Sequence, residues 1–360
     1  MQQIHEDWNN VKKRWEAWWS CEMYDRPLIQ AYAPKEVKTI DDMEIIKADG
    51  DPKTKWSNQE HILKRGKVWV QNTYFSGEAM PILNPNWSVG HTCYFGCEPD
   101  FQENTVWVHP FSCENNGYPE LRFEEIGYWW NWYNNFIEKV VREGEDKFYL
   151  QPQFGNSAAD TLAMIRDSQE LMYDMAENPE WVQNSVNIVT DVLLETFEKL
   201  WKKIDKCNMD GYTNWNNCWS PGKTLIVDAD ISGMISPKQF NEIFLPSIIR
   251  QMATVPYTQF HVDGEAIASA HLDTLLSLKE LLSFQWVPGD GKNEIMQWVP
   301  LIKKIQDKKK ALLIYTRPDE ILPLLKEIRP EGLCISTYCS SESDAGKLIG
   351  QVEKLYKGTK

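Results

Sequence analysis

Short, almost wholly apolar runs recur along this chain with amphipathic helical patterns between them, and this alternation restricts the fold more than any other feature. The runs are RPLIQAYA (26–33), EAMPILN (78–84), FYLQPQF (148–154), DGYTNWN (210–216), YTQFHVD (257–263), LLSFQWV (281–287), ALLIYTR (311–317) and GLCISTY (332–338). A strand buried on both faces is apolar throughout, whereas a strand with one wet face alternates. Helix starts lie between the runs. Asn178-Pro179 opens a long helix with Val182, Val186, Val189, Leu193, Phe197, Leu200 and Ile204 on one face. Ser236-Pro237-Lys238-Gln239 is a capping box with proline at the first helical position. Ser341 precedes a last helix that buries Ala345, Leu348, Ile349, Val352 and Leu355. Buried strands alternating with helices predict a parallel sheet, and eight units in 360 residues favour a closed (β/α)8 TIM barrel, an α/β fold, over an open sheet.

Three stretches stand apart from that pattern. Ile4, Trp8, Val11, Trp15 and Trp18 fall at helical spacing, which predicts an N-terminal helical extension within residues 1–25, packed on the barrel. The segment 85–147, rich in Asn, aromatic residues and Gly, reads as an elaborated loop or cap after the second strand. TLIVDADI (224–231) is a ninth candidate strand without a place in the eight. No linker or internal repeat divides the chain, so residues 1–360 are expected to form a single barrel domain.

Charge and composition narrow the partners. Lys and Arg total 38 against 52 for Asp and Glu, a net charge of −14 that repels phosphate backbones and anionic lipid. Nucleic acid and membrane are therefore not expected partners. No apolar run approaches the about 18 residues of a membrane span, and the start MQQIHEDWNN lacks the basic and apolar regions of an export signal, so a cytoplasmic location is expected. Eight cysteines are too dilute for a disulfide scaffold. Cys93 and Cys97 form a C-x3-C pair with no second pair at zinc-finger distance, and they read as small buried residues. There is no Gly-rich phosphate loop and no G-x-S-x-G, which argues against nucleotide and serine-hydrolase chemistry.

In a barrel of this kind, chemistry collects just past the C-terminal ends of the strands. The fifth run ends His261-Val262-Asp263-Gly264-Glu265, and alternation sends His261 and Asp263 to one side, with Glu265 just beyond among the candidate binding residues. The eighth strand ends at Tyr338-Cys339, which brings a third group, Cys339, to the same rim. His261, Asp263 and Cys339 are thus candidate ligands of a zinc ion with one open position. The structural alternative has His261 hydrogen-bonded within the fold and Cys339 packed. His271, ten residues on, reads as structural. Further rim candidates are Gln285 and Trp286, of which alternation points one inward and one outward, and Asn156 and Asp160 after the third strand. Asp228 and Asp230 share parity and can act as a carboxylate pair, while Asp160 also suits a helix-capping role. Trp215, with Trp87, Trp219 and Trp286, is a candidate stacking surface whose alternative is packing.

Several stretches together resemble the uroporphyrinogen decarboxylase-like family, whose superfamily includes cobalamin-independent methionine synthase and corrinoid-linked methyltransferases. They are RPLIQAY (26–32), NPNWSVG (84–90), the Asp160 segment through RDSQELMYDMAENPEWV (166–182), SPKQFNEIFLP (236–246), HVDGEAIASAHLDTLL (261–276), FQWVPGDG (284–291) and SSESDAGKL (340–348). The resemblance implies the same single barrel. It also implies an arginine-rich segment after the first strand in the true decarboxylases, where this chain keeps only Arg26, before the strand, and so disfavours a porphyrinogen substrate. The methyltransferase branch carries H-x-C and a distant C as zinc ligands. His261 matches the first and Cys339 falls near the last, while Asp263 replaces the middle cysteine. The reading is a methyltransferase-like enzyme with zinc and a corrinoid carried by a partner protein, acting on a small molecule. The alternatives are a metal-free decarboxylase or lyase that handles protons through Asp160, Asp228 or Asp230, and a carbohydrate-active barrel.

Overall fold

A computed structural model of the chain describes residues 7–37, 50–83, 89–111, 117–144, 148–150, 157–205, 210–289 and 294–357. Ile4, Trp87, Cys113, Asn156, Cys207 and part of the third expected strand, 151–154, lie outside the described residues. The strands in chain order are β1 (Leu28–Pro34), β2 (Thr73–Gly77), β3 (Ile82–Leu83), β4 (Pro99–Phe101), β5 (Val106–Val108), β6 (Tyr149–Leu150), β7 (Tyr212–Thr213), β8 (Trp219–Ser220), β9 (Thr224–Val227), β10 (Tyr257–Asp263), β11 (Ser283–Val287), β12 (Ala311–Tyr315) and β13 (Leu333–Tyr338).

Seven of them form one sheet in the order β2-β1-β13-β12-β11-β10-β9, parallel except for β2, which runs antiparallel along β1. The expected runs at 26–33, 257–263, 281–287, 311–317 and 332–338 all become strands of this sheet. Two expectations change. DGYTNWN supplies only β7, one arm of a small antiparallel hairpin with β8, while the unplaced TLIV becomes β9 beside β10. The reason is local. The Asn214 side chain accepts the N–H groups of Asn216 and Cys218, both at 3.1 Å, which turns the chain back on itself, whereas four successive buried apolar residues suit a strand covered on both faces. β3 and β6 make a separate parallel pair, and among the described residues no strand ladder joins that pair to β1 or β9, so a closed ring of eight strands is not seen. The loops bridge part of that gap: Glu78 N–H donates to Ile29 O at 2.9 Å and Thr213 Oγ1 to Leu150 O at 3.3 Å.

The segment 85–147 is more than a loop. It holds the β4–β5 hairpin and a helix, Tyr128–Gly144, whose Trp130, Tyr133, Phe136, Ile137 and Val140 are buried beside the helix Pro179–Ile204. Among the described residues, no helix is long and apolar enough to cross a membrane.

The two faces of the sheet carry different cores, as the period of two requires. Ile29, Ala31, Phe260, Val262, Phe284, Leu312, Ile314 and Ile335 point to the helix-covered side. Leu28, Ala311, Leu313 and Cys334 point the other way, where they meet Trp219, Met80 and Ile82. Helix α1 (Trp8–Trp19) closes this inner face at the starts of the strands with Trp8, Val11, Trp15, Trp18 and Trp19. It plugs the end of the sheet with its tryptophans: Trp18 Nε1 donates to Leu312 O at 3.3 Å and Trp19 Nε1 to Trp219 O at 2.8 Å. The helix stops where Cys21 takes a left-handed backbone (φ 55°) and Glu22 N–H returns to Ala17 O at 2.8 Å. Each such side chain taken from water adds about 1.5–3 kcal/mol.

A buried ion pair fastens the same end. Arg26 donates to both oxygens of Glu78, at 2.8 and 2.9 Å, and Glu78 also accepts from Ile29 N at 2.8 Å and from Arg14 at 3.1 Å. The arginine before the first strand is thus committed to a carboxylate at the foot of the sheet, away from the C-terminal strand ends.

Candidate active site

Above the apolar floor the inner face turns polar. Gln30, Gln259 and Gln285 occupy inward positions of β1, β10 and β11, and the turn between β7 and β8 lies across them. Asn216 Nδ2 donates to Gln259 Oε1 at 2.8 Å, the Tyr315 hydroxyl donates to Asn216 Oδ1 at 3.2 Å, and Gln30 Nε2 donates to Asn217 O at 2.6 Å. Asn217 sits at φ 58°, a conformation that asparagine tolerates better than most residues, and its amide donates to the Tyr32 hydroxyl at 3.3 Å. These amides form a hydrogen-bonded layer between the apolar floor and the mouth, in which Gln30 Oε1 alone of the named groups is buried without a partner. Of these side chains only Gln285 was expected from the sequence. The signal was present as glutamines at inward parity in otherwise apolar strands, and as the N-W-N-N run.

Over that layer the ends of β9, β10 and β11 bring together the groups with chemistry. The inward parity of β10 carries Gln259, His261 and Asp263, and register places His261 beside Gln285 of β11. The His261 ring hydrogen-bonds through Nδ1 to Gln285 Oε1, and Trp215 packs edge-on against it with ring centroids 5.1 Å apart. After β9 the chain enters a tight 3-10 turn, Asp230–Met234, which carries Asp230 to the same place. One ligand atom each from Asp230, His261 and Asp263 lies within 4.8 Å of the others, and among the described residues no other group of three His, Cys, Asp or Glu side chains meets this way.

Two more carboxyls stand behind Asp230. Ser157 caps the helix Ala158–Arg166, which presents Asp160 to the turn after β9. Asp160 accepts the N–H groups of Asp230 at 2.8 Å and Ile231 at 3.0 Å, while Asp228 accepts from Ser157 N at 2.8 Å. Burial, then the charges of Asp228 and Asp230, hold Asp160 well above the ordinary carboxyl range against the pull of those amides. Burial and the charge of Asp230 push Asp228 up to about 7. Asp230 is raised by desolvation and by Asp263, with His261 opposing. Two carboxyls beside the imidazole, with two more buried behind Asp230, favour protons or a cation in the mouth.

The other expected site residues lie elsewhere. Cys339 follows β13 at outward parity and is 1% exposed in the core between the sheet and the helices, so it is not among the groups that meet at His261. This corrects the expected zinc set: alternation along β13 turns Cys339 to the same side as Leu333 and Ile335. Burial, then the charge of Asp344, raises its thiol pKa. Trp286 also points outward and packs on Trp298 with centroids 4.9 Å apart, leaving Gln285 as the inward partner. Trp219 lies in the floor. Glu265 is exposed in the first turn of the helix Gly264–Ser277, beyond the cluster. His271 donates from Nε2 to Ser232 O at 2.8 Å, in the structural role expected.

No family profile matches the chain, and no curated protein matches it. Among solved structures it is similar to a methyltransferase from Methanosarcina mazei at 14% identity, with a TM-score of 0.59 over 97% of this chain and 99% of that one. The likeness shows a shared fold across nearly the whole length of both chains.

Proposed function

We propose that the chain is a methyltransferase-like enzyme that binds a small methyl acceptor in the polar mouth above His261. The observation that carries the reading is the convergence of His261, Asp230 and Asp263 at the C-terminal strand ends, on a fold shared with a methyltransferase. The reading includes one barrel domain over 1–360, its ring completed through β3 and β6, and a cytoplasmic enzyme that takes the methyl group from a corrinoid on a partner protein. Zinc held by two thiolates, as in the H-x-C branch, does not fit these residues, since Asp263 stands for one cysteine and Cys339 packs outside the mouth.

The residues have separable tasks in this reading. Trp215 and the β7–β8 turn wall one side and limit water. Gln285 orients the ring of His261: its Oε1 only accepts, so Nδ1 carries a proton and Nε2 is the nitrogen left to take a proton or a cation. Asp160 holds the turn that carries Asp230. The lyase alternative requires a cation for a substrate carboxylate, and Arg26 is bound to Glu78 at the far end. Among the described residues, the carbohydrate alternative keeps only Trp215 of its rim tryptophans, because Trp219 and Trp286 are buried.

Methyl transfer is tested directly by mixing the purified protein with methylcobalamin and a panel of thiol, alcohol, phenol and amine acceptors. The cobalamin spectrum reports demethylation. Acceptor-dependent loss of the methyl-cobalt band, abolished in His261→Ala, is the expected result. No demethylation with any acceptor, or equal rates in the variant, overturns the reading.

A further inference from the structure

We propose that Asp230, His261 and Asp263 form a divalent-cation site of one nitrogen and two oxygen donors, whose remaining positions take an oxygen-donor group of the acceptor rather than a thiol. The proposal deepens the methyltransferase reading and rests on it for the identity of the acceptor.

Three independent features of the chain converge on this site. The first is position: β10 places His261 and Asp263 at the same parity, and the turn after β9, the neighbouring strand, delivers Asp230, so that all three ligand atoms fall within 4.8 Å. A cation between them needs only short side-chain movements.

The second is the state of the imidazole. Gln285, 2% exposed and on the adjacent strand, accepts from His261 Nδ1, which orients the ring and leaves Nε2 as the nitrogen able to take a cation. An outer group that orients a histidine ring in this way is the usual companion of a metal-bound imidazole. The edge of Trp215 restrains the ring on a second side.

The third is the anchoring of Asp230. Asp160, 5% exposed, accepts the backbone N–H of Asp230 and of Ile231, which fixes the backbone of the turn although the Asp230 side chain faces the mouth. A site built on fixed backbone keeps its geometry when empty.

The donor types then set the chemistry. Two carboxylates balance the charge of a divalent ion, and a site with no sulfur donor suits zinc, manganese or ferrous iron more than a soft ion. An ion so held keeps its affinity for hard donors, which favours hydroxyl, phenol or carboxylate oxygen from the acceptor. Two thiolates, as in the H-x-C pattern, would favour a substrate thiol instead.

The test uses the full-length protein, stripped with chelator and titrated with Zn2+ and separately with Mn2+ by calorimetry, with no methyl donor present. One ion per chain is expected. Asp230→Asn and Asp263→Asn should each weaken binding at least tenfold, and His261→Ala should abolish it. Asp230→Glu keeps a carboxylate and should retain binding within about tenfold. Gln285→Leu should keep the stoichiometry and lose about 10- to 100-fold in affinity, while Cys339→Ser should match the wild type. Thermal melts of each apo variant separate loss of the site from loss of the fold, and Asp230→Glu carries the test if Asp230→Asn does not fold. No binding of either ion by the wild type, unaltered binding in Asp230→Asn, or loss of binding in Cys339→Ser overturns the proposal. Stoichiometric binding without methyl transfer to any acceptor overturns the methyltransferase reading and leaves the cation site standing.

Discussion

Replacing His91 isolates the effect of one buried, uncharged imidazole on acid stability. His91 lies in the short helix Gly90–Cys93 and is 2% exposed, with the Tyr94 and Phe197 rings 5.2 and 5.6 Å from its own and no hydrogen-bond partner on either nitrogen. Burial lowers its pKa from 6.5 to about 3. The folded pKa of this base is depressed, so its neutral form is shared by both states above the unfolded value, and stability is lost as pH falls below 6.5 because only the unfolded chain takes up the proton. At pH 5 the gap is about one and a half pH units, and at about 1.4 kcal/mol per unit the loss is about 2 kcal/mol. His91→Phe removes the titration. Phe changes the packing as well, but that cost is the same at pH 7 and pH 5 and cancels in the difference. Urea unfolding followed by tryptophan fluorescence at both values should therefore show a wild-type loss about 2 kcal/mol larger than that of the variant. Equal losses in the two proteins, within about 0.5 kcal/mol, refute the argument.

Glu78→Gln should destabilise the chain by about 3–5 kcal/mol in the same assay, because Arg26 is left buried without its counter-charge. Although burial alone would raise the Glu78 pKa, Arg26, Arg14 and the Ile29 amide hold it below 4.5, so its contribution is complete above that value and fades as pH falls through the folded pKa. A loss under about 1 kcal/mol would mean the pair is not the clasp described. Asp160→Asn replaces one acceptor oxygen by an amide that meets an N–H, so it should cost about 1–3 kcal/mol in urea and lower cation affinity through the backbone of Asp230. Unchanged values in both measurements would remove Asp160 from its positioning role.

What the sequence made legible follows from how local the cause is. β10 through β13 and β1 fall within a few residues of the expected runs because a strand buried on both faces is apolar from end to end, and nothing distant is needed to see it. The helix Tyr128–Gly144 was also local, with Trp130, Tyr133, Ile137 and Val140 at helical spacing, but its asparagines gave it the look of a loop. DGYTNWN and TLIVDADI exchanged roles for a different reason. An Asn side chain that captures two backbone amides makes a turn out of a sequence whose aromatic alternation looks like a strand.

The site divides along the same line. His261, Asp263 and Gln285 were legible because parity on one strand and register with the next fix them. Cys339 was a matter of parity too: Cys334 faces inward in the floor, so the odd step from 334 to 339 turns Cys339 outward, where burial keeps its thiol protonated at neutral pH. Asp230 was the hard residue, since its place depends on Asp160 reaching 70 positions along the chain to hold the turn after β9. A fold shared at 14% identity does not by itself fix which side chains stand at the strand ends. At this rim the outward turn of Cys339 and the carboxylate at position 263 act together. The first keeps a sulfur out of the mouth and the second leaves His261 beside two oxygen donors, so the donor set there depends on the turn after β9 as much as on the strand that bears the histidine.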